Sequence, residues 1–592
     1  MKSILSWFLL LTLLMSAAAF SQDNSSGKKP NFIVIVADDM GFADMSNFGG
    51  DISTPNLDEL ANNGVRYTNF YTAPTCSPTR SMLLSGMDNH LAGIGNMYER
   101  MAPNQEGVDG YEGVLNNRVA TLPEILLANG YHTYMAGKWH LGKEPEHIPH
   151  AKGFERDFTI LDAAGAHFSN KPNNRSLDHT QFTEDGKYLS EVPDDYYSSK
   201  TFTDKIIGYI ESNRTDGKPF FSYLAFSAPH DPLQVPDDWL RKYKGKYDEG
   251  WDKIRDHRLE RMKELGIMPE DVEKSPRLWM VPEFDDLTGV SQFVIARKME
   301  IYAAMVEYMD MEIGRLVSYL ESIGELDNTY IVFFSDNGPE SRDPSGSLKG
   351  KRSSAEAGWL GSTYKTDFPS WGRKGVHVAY GSPWAQVSAT PFFFFKGTLN
   401  EGGVRSPLIV VSPKHTNAGE INTDAILLVK DIAPTLLDIA GIKQPSNING
   451  RDVLPMQGLS WQRMINGEIN SPRGAGDWFG MEWWSGRMIR QGDWKLLWMP
   501  KSIGINDWTL YNLRKDPGEQ NDLSKVNPGK YNELVALWDE YVVENNIIIP
   551  NRTQYDGLED NLPPRPPILL DNWPPPSEPN YGEVKEENED DE

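Results

Sequence analysis

Asn31-Phe-Ile-Val-Ile-Val-Ala-Asp-Asp39 and, far downstream, Thr329-Tyr-Ile-Val-Phe-Phe-Ser-Asp-Asn337 share one design. Each is a continuous apolar run with no polar alternation, which marks a strand buried on both faces, as in a helix-covered parallel sheet. Each closes on acidic or amide side chains at its C-terminal edge, where open α/β sheets bind ligands. Helical periodicity over residues 122–129 and 296–323, with strand runs at 219–225 and 407–411, extends the alternation. The predicted fold class is therefore α/β, with a large, mostly parallel or mixed central sheet covered by helices. From residue 441 the texture turns to short strands punctuated by Gly and Pro. A hairpin over 487–498 turns at Gly492-Asp493, a strand follows at 508–512, and a helix is expected over 531–545. These predict a smaller C-terminal antiparallel sheet domain.

The chain has 592 residues, 39% of them hydrophobic, enough for a large core and a second, smaller unit. Residues 1–21 combine Lys2, an apolar stretch and Ser16-Ala-Ala-Ala19, the pattern of a secretory signal too short for a stable membrane span. The expected localisation is thus exported, either periplasmic or secreted. The domain expectation is 22–440 for the catalytic domain, 441–550 for the smaller α+β domain and 551–592 for a proline-rich acidic tail. A single cysteine rules out an intramolecular disulfide, so Cys76 needs another explanation. A formal net charge of -26 argues against nucleic acid as a partner, since phosphate backbones demand clustered Lys and Arg.

The motifs carry more. Cys76-Ser-Pro-Thr-Arg80 runs on into Ser81-Met-Leu-Leu-Ser-Gly86, and a second phrase, Gly130-Tyr-His-Thr-Tyr-Met-Ala-Gly-Lys-Trp-His140, has the look of a strand. Lys138 and His140 stand two apart, a spacing that puts both on one face of an extended chain. Asp38, Asp39, Asp336 and Asn337 offer only oxygen ligands, which suit a hard cation, calcium or magnesium, rather than zinc. His230 follows an apolar strand in Ser227-Ala-Pro-His-Asp-Pro232, and Lys396 closes an aromatic run just before Gly402-Gly403. A lone cysteine is ordinarily structural, and a loop histidine is ordinarily bonded to backbone. Here the surrounding phrases weigh against both readings.

Together these phrases resemble the sulfatase family, bacterial arylsulfatases in particular, from about residue 30 to 545. The resemblance implies an alkaline-phosphatase-like fold and hydrolysis of sulfate monoesters to an alcohol or phenol plus sulfate. It implies that a formylglycine-generating or maturase enzyme oxidises Cys76 to formylglycine, whose hydrate is the nucleophile. One hydroxyl attacks sulfur and the second lets sulfate leave by elimination. The implied metal is calcium, with magnesium as the alternative, held by Asp38, Asp39, Asp336, Asn337 and residue 76. Arg80, Lys138, His230 and Lys396 are the implied sulfate contacts. His230 is the candidate general acid, Asp336 the base beside the nucleophile, and His140 the assistant in elimination. A sulfated small molecule or glycan is the expected substrate. Residues 341–391, with Trp359, Trp371 and Trp384, depart from the family and are expected to shape the pocket mouth. Two rivals stay open at this point, a phosphonate monoester or phosphate diester hydrolase and a non-catalytic binder of sulfated glycans.

Overall fold

Strand β1 (Asn31–Ala37) lies inside an 11-stranded sheet in the computed structural model, which describes residues 28–343, 354–365 and 367–553. The expected signal segment and residues 554–592 of the expected tail lie outside the described residues. The other strands of this sheet, in chain order, are β2 (Val65–Tyr71), β3 (His132–Lys138), β4 (Arg156–Ile160), β5 (Phe182–Glu184), β6 (Lys187–Leu189), β7 (Phe220–Ala225), β8 (Thr329–Ser335), β9 (Arg405–Val411), β10 (Ile421–Asn422) and β11 (Leu427–Leu428). Their spatial order is β10-β2-β9-β8-β1-β7-β3-β4-β5-β6, with β11 also paired to β2.

The central strands β8, β1, β7, β3 and β4 run parallel, while β9 turns antiparallel between β8 and β2. The sheet is therefore mixed with a parallel heart, as the apolar runs required. In β1, Ile33 and Ile35 join one hydrophobic core while Phe32, Val34 and Val36 join the core on the opposite face. Strand β8 divides in the same way, Ile331 and Phe333 to one side, Val332 and Phe334 to the other. Successive side chains point to opposite faces, so only a sheet covered on both sides can bury such a run. The helix Gly289–Ser322, longer at its start than its periodicity suggests, supplies much of one cover.

Past residue 441 a short hairpin, β12 (Asn447–Ile448) and β13 (Arg451–Asp452), precedes a four-stranded antiparallel sheet of β14 (Trp478–Trp483), β15 (Gly486–Gln491), β16 (Trp494–Trp498) and β17 (Trp508–Asn512). Ile448, Trp461, Met464 and Ile465 still pack into the core beneath the large sheet, so the second sheet begins only at Trp478. One of its faces buries Ile489, Leu496 and Leu510 against Leu534, Trp538 and Tyr541 of the helix Pro528–Glu544. The other face places Met481, Met488, Leu497 and Tyr511 in the main core.

A buried ionic cluster fixes that contact. Lys495 Nζ lies 2.8 Å from Glu401 and 2.7 Å from Glu519, and it donates to the carbonyl of Leu399 at 2.7 Å. Glu519 in turn accepts from Asn400 Nδ2 at 2.9 Å and from the Glu401 amide at 3.0 Å. Removing one partner of such a buried set leaves an uncompensated charge, at a cost of about 3–5 kcal/mol. The small sheet thus clamps the 396–403 loop onto the large one. Among the described residues no helix is long and apolar enough to cross a membrane.

Candidate active site

Parallel pairing of β1 with β8 places Ala37 opposite Ser335, so both chains leave the sheet side by side and the Asp336 amide donates to the Ala37 carbonyl at 3.0 Å. Asp38, Asp39, Asp336 and Asn337 consequently emerge into one buried spot. Asp39 turns with a φ of 66°, and its amide donates to Asp336 Oδ1 at 3.2 Å. On the other side of β1, strand β7 delivers His230, and β3 beyond it ends at Lys138. Gly137 is required in β3, because a Cβ there would lie 1.8 Å from the Ala225 carbonyl oxygen. That close approach draws Lys138 in toward the carboxylates.

Cys76 opens the helix Cys76–Ser85, all of it buried, with the chain extended at Thr75 just before it. The N-terminal end of a helix carries partial positive charge and favours anionic groups. The Cys76 thiol points to Asp38 Oδ1 at 3.4 Å and to Asp39 Oδ1 at 3.8 Å. One turn further, Arg80 donates to Asp336 Oδ2 at 2.7 Å through Nη2 and to the Lys138 carbonyl at 2.8 Å through Nη1, tying helix, β8 and β3 together. Lys138 Nζ reaches both Asp38 oxygens at 2.8 Å.

Lys396 arrives from the clamped loop. The Gly338 amide donates to the Gly403 carbonyl at 3.0 Å, and a Cβ on Gly338 would stand 1.9 Å from the Gly402 carbonyl oxygen. This contact between backbones presses the loop against the Asn337 turn and sets Lys396 Nζ 2.8 Å from Asp39 and 3.2 Å from Glu340. His230 Nε2 is 3.3 Å from Asp39 Oδ2, while its Nδ1 donates to the Asp231 carbonyl at 2.6 Å.

The electrostatics follow from burial and pairing. Burial, reinforced by Asp336, pushes the Cys76 thiol well above its ordinary range, so it stays protonated and is a poor nucleophile as it stands. Burial opposes the charge of Lys138, but Asp38 more than compensates and raises it. For Asp336 burial works against ionisation, and Arg80 followed by Lys138 holds the carboxyl below its usual value. Burial likewise disfavours a charged His230 ring, yet Asp39 prevails and lifts it to about 9. A proton available on Nε2 at neutral pH is what a general acid needs.

Every expected site residue except His140 lies in this cluster by direct contact. Strand β3 stops at Lys138, and His140 follows with a φ of 56°, so the two do not share a strand face. His140 Nε2 lies 3.5 Å from Glu99 instead, although the charges of Lys138 and Arg80 still act on its ring. The three tryptophans part company. Trp384 is wholly buried, donates to the Ile295 carbonyl at 2.9 Å and packs on Tyr247 and Trp251, so it is core and not a lip. Trp371 packs at a tilt on Phe368, whereas Trp359 sits with Tyr364 against His377. His377 Nε2 is 3.3 Å from Asp231, which places Trp359 three contacts from His230. Sequence reasoning did not single out Glu340, Glu99, Asp231 or His377. Glu340, three residues beyond Asn337, was accessible from its spacing alone, and Asp231 from its place next to His230. Nothing local marks Glu99 or His377.

Asp38, Asp39, Cys76 and Asp336 each offer one ligand atom, all within 4.8 Å of one another. The Asn337 amide donates through Nδ2 to Asp39 Oδ1 at 2.6 Å, and its Oδ1 is buried with no hydrogen-bond partner among the described residues. An orphaned buried oxygen beside three carboxylates fits a hard divalent cation. The sulfur of Cys76 is the one soft donor in the set, and an oxygen in its place would make the set uniform.

The sulfatase family model matches residues 30–442, and a model for the C-terminal part of N-sulphoglucosamine sulphohydrolase matches residues 392–545. An uncharacterised sulfatase of Schizosaccharomyces pombe is 41% identical over 553 residues, covering 90% of this chain and 96% of that protein. The arylsulfatase of Klebsiella aerogenes is 38% identical over 455 residues, 75% of this chain and 94% of its own. A solved structure in complex with its substrate, D-glucosamine-2-N,6-O-disulfate, aligns with a TM-score of 0.57 at 25% identity, over 88% of this chain and 99% of that one.

Proposed function

The chain belongs to the sulfatase family and is a sulfuric ester hydrolase, and from that premise we propose that it works through a formylglycine made from Cys76 beside a bound calcium ion. The observation that carries this reading is the setting of Cys76. A thiol at a helix N-terminus, 3.4 Å from Asp38 and ringed by Arg80, Lys138 and Lys396, is held protonated where a nucleophile is needed. Conversion of the thiol to an aldehyde that hydrates supplies two hydroxyls, one to attack sulfur and one to let sulfate depart.

The remaining roles belong to this chain's own side chains. Arg80, Lys138 and Lys396 bring positive charge to an otherwise acidic protein and bind the sulfate oxygens. Asp336, held ionised by Arg80, accepts the proton of the attacking hydroxyl. His230 protonates the oxygen of the departing alcohol, and His140 takes up a proton as sulfate leaves. Asp38, Asp39, Asp336 and Asn337 would hold the cation, which when bound withdraws charge from the reacting oxygens. The names of the relatives support a sulfated aryl compound or a sulfated sugar as substrate. Export, and an encounter with a maturation enzyme on the way, rest on the sequence of residues 1–21 and 76–86.

Dialysis against a chelator, with metal content measured on the same sample, is expected to lower kcat at least roughly 100-fold. Added calcium should restore it. Full activity in protein shown to be free of metal would contradict the proposal.

A further inference from the structure

We propose that Glu99 is a positioning residue that fixes the tautomer of His140 and so makes Nδ1 the ring's proton acceptor. The inference rests on the role given above to His140 and extends it to a residue and an atom.

Three observations carry it. Glu99 Oε1 is 3.5 Å from His140 Nε2. His140 Nδ1 is buried and has no hydrogen-bond partner among the described residues. The short turn Tyr98–Arg100 that bears Glu99 is itself pinned, with Asn96 Nδ2 donating to the Arg100 carbonyl and to Gln105 Oε1, both at 2.9 Å. Trp484 Nε1, from the tip of the β14–β15 hairpin, donates to Asn96 Oδ1 at 3.1 Å. The backbone that bears Glu99 is therefore pinned on both sides of the turn.

A neutral imidazole has one N–H and one lone pair. With the proton on Nε2, the ring donates toward Glu99 and turns its lone pair to the unpaired side. The opposite tautomer would leave a buried N–H without an acceptor and set a lone pair against a carboxylate. Burial lowers the His140 pKa, Glu99 opposes this, and Lys138 and Arg80 add to the lowering, so the ring is neutral in working enzyme. For Glu99 burial opposes ionisation, but contact with His140 outweighs it and holds the carboxyl below its usual range, so it is available as an acceptor. On the role given above to His140, Nδ1 is the atom that takes the hydroxyl proton of residue 76 in the elimination. The O–H electron pair closes the carbonyl, the carbon–oxygen bond to sulfate breaks, sulfate leaves with that pair, and the proton passes to water.

The test is histidine nitrogen NMR on the full chain labelled with 15N-histidine, with His140→Ala for assignment. The expected wild-type pattern has the proton on Nε2, and Glu99→Gln and Glu99→Ala should show a mixture of tautomers. In matured enzyme the same variants should lose about 10–100-fold in kcat with little change in KM, and Glu99→Asp should recover part of it. A wild-type proton on Nδ1, the same tautomer in all variants, or an unchanged kcat would overturn the inference. Because the tautomer is read whether or not residue 76 has been converted, an unconverted thiol would sink the proposed function and leave the spectrum to judge Glu99 by itself.

Discussion

Cys76→Ala is expected to lower kcat/KM by at least about 10,000-fold while shifting the unfolding midpoint by only a few degrees. The size of the loss follows from the chemistry. Removing a covalent nucleophile leaves only binding and charge stabilisation, and no neighbouring side chain in the cluster can substitute. Asp38, Asp39 and Asp336 are committed to Lys138, Lys396 and Arg80 at 2.7–2.8 Å. The small stability change follows from packing. Cys76 is 3% exposed, but only its sulfur is deleted, and the polar contacts of that sulfur are long, at 3.4 and 3.8 Å. A loss on the order of 1 kcal/mol is expected from so small a truncation. Steady-state kinetics on an activated aryl sulfate, paired with thermal unfolding, checks both halves, and a variant that retained appreciable turnover would remove residue 76 from the mechanism.

His230→Ala is expected to act selectively. For sulfate esters of alcohols or sugars, whose leaving groups need a proton, kcat should fall about 100–10,000-fold. For an activated nitrophenyl sulfate, whose phenolate leaves unaided, the loss should be about tenfold or less. The geometry supports the asymmetry, because Nδ1 is occupied by the Asp231 carbonyl and Nε2 is the nitrogen turned to the cluster through Asp39. Rates measured across a series of leaving groups decide the matter. A uniform loss over the whole series would make His230 a sulfate ligand and not the acid.

Much of this site was legible in the sequence because its chemistry sits at the ends of conspicuous strands. The runs Asn31–Ala37 and Thr329–Ser335 announce buried strands by their apolar continuity, and the residues directly after them cannot avoid meeting once those strands pair. Arg80 was readable through the resemblance of Cys76-Ser-Pro-Thr-Arg80, and the structure places it one helical turn from Cys76. Lys396 lay further from any periodic signal and was located only through the resemblance, aligned on Gly402-Gly403; in the structure a Cβ on Gly338 would stand 1.9 Å from the Gly402 carbonyl oxygen, so the loop closes there against a glycine. His140 was found but misplaced. An alternating strand pattern does not reveal where the strand stops, and the left-handed turn at His140 sends its ring to Glu99. Trp384 shows the converse failure, since it was assigned to the pocket mouth with the rest of residues 341–391, yet tertiary packing against Trp251 and Tyr247 buries it. Glu99 and His377 act through partners distant in sequence, and such contacts leave no local pattern.

The central claim is that residue 76 does not remain a cysteine. Mass spectrometry of the tryptic peptide Tyr67–Arg80, from protein purified from its own host, tests it most directly. The account predicts a peptide lighter by about 18 Da than the cysteine form, as conversion of a thiol to an aldehyde requires. A peptide carrying only the unmodified thiol would contradict it.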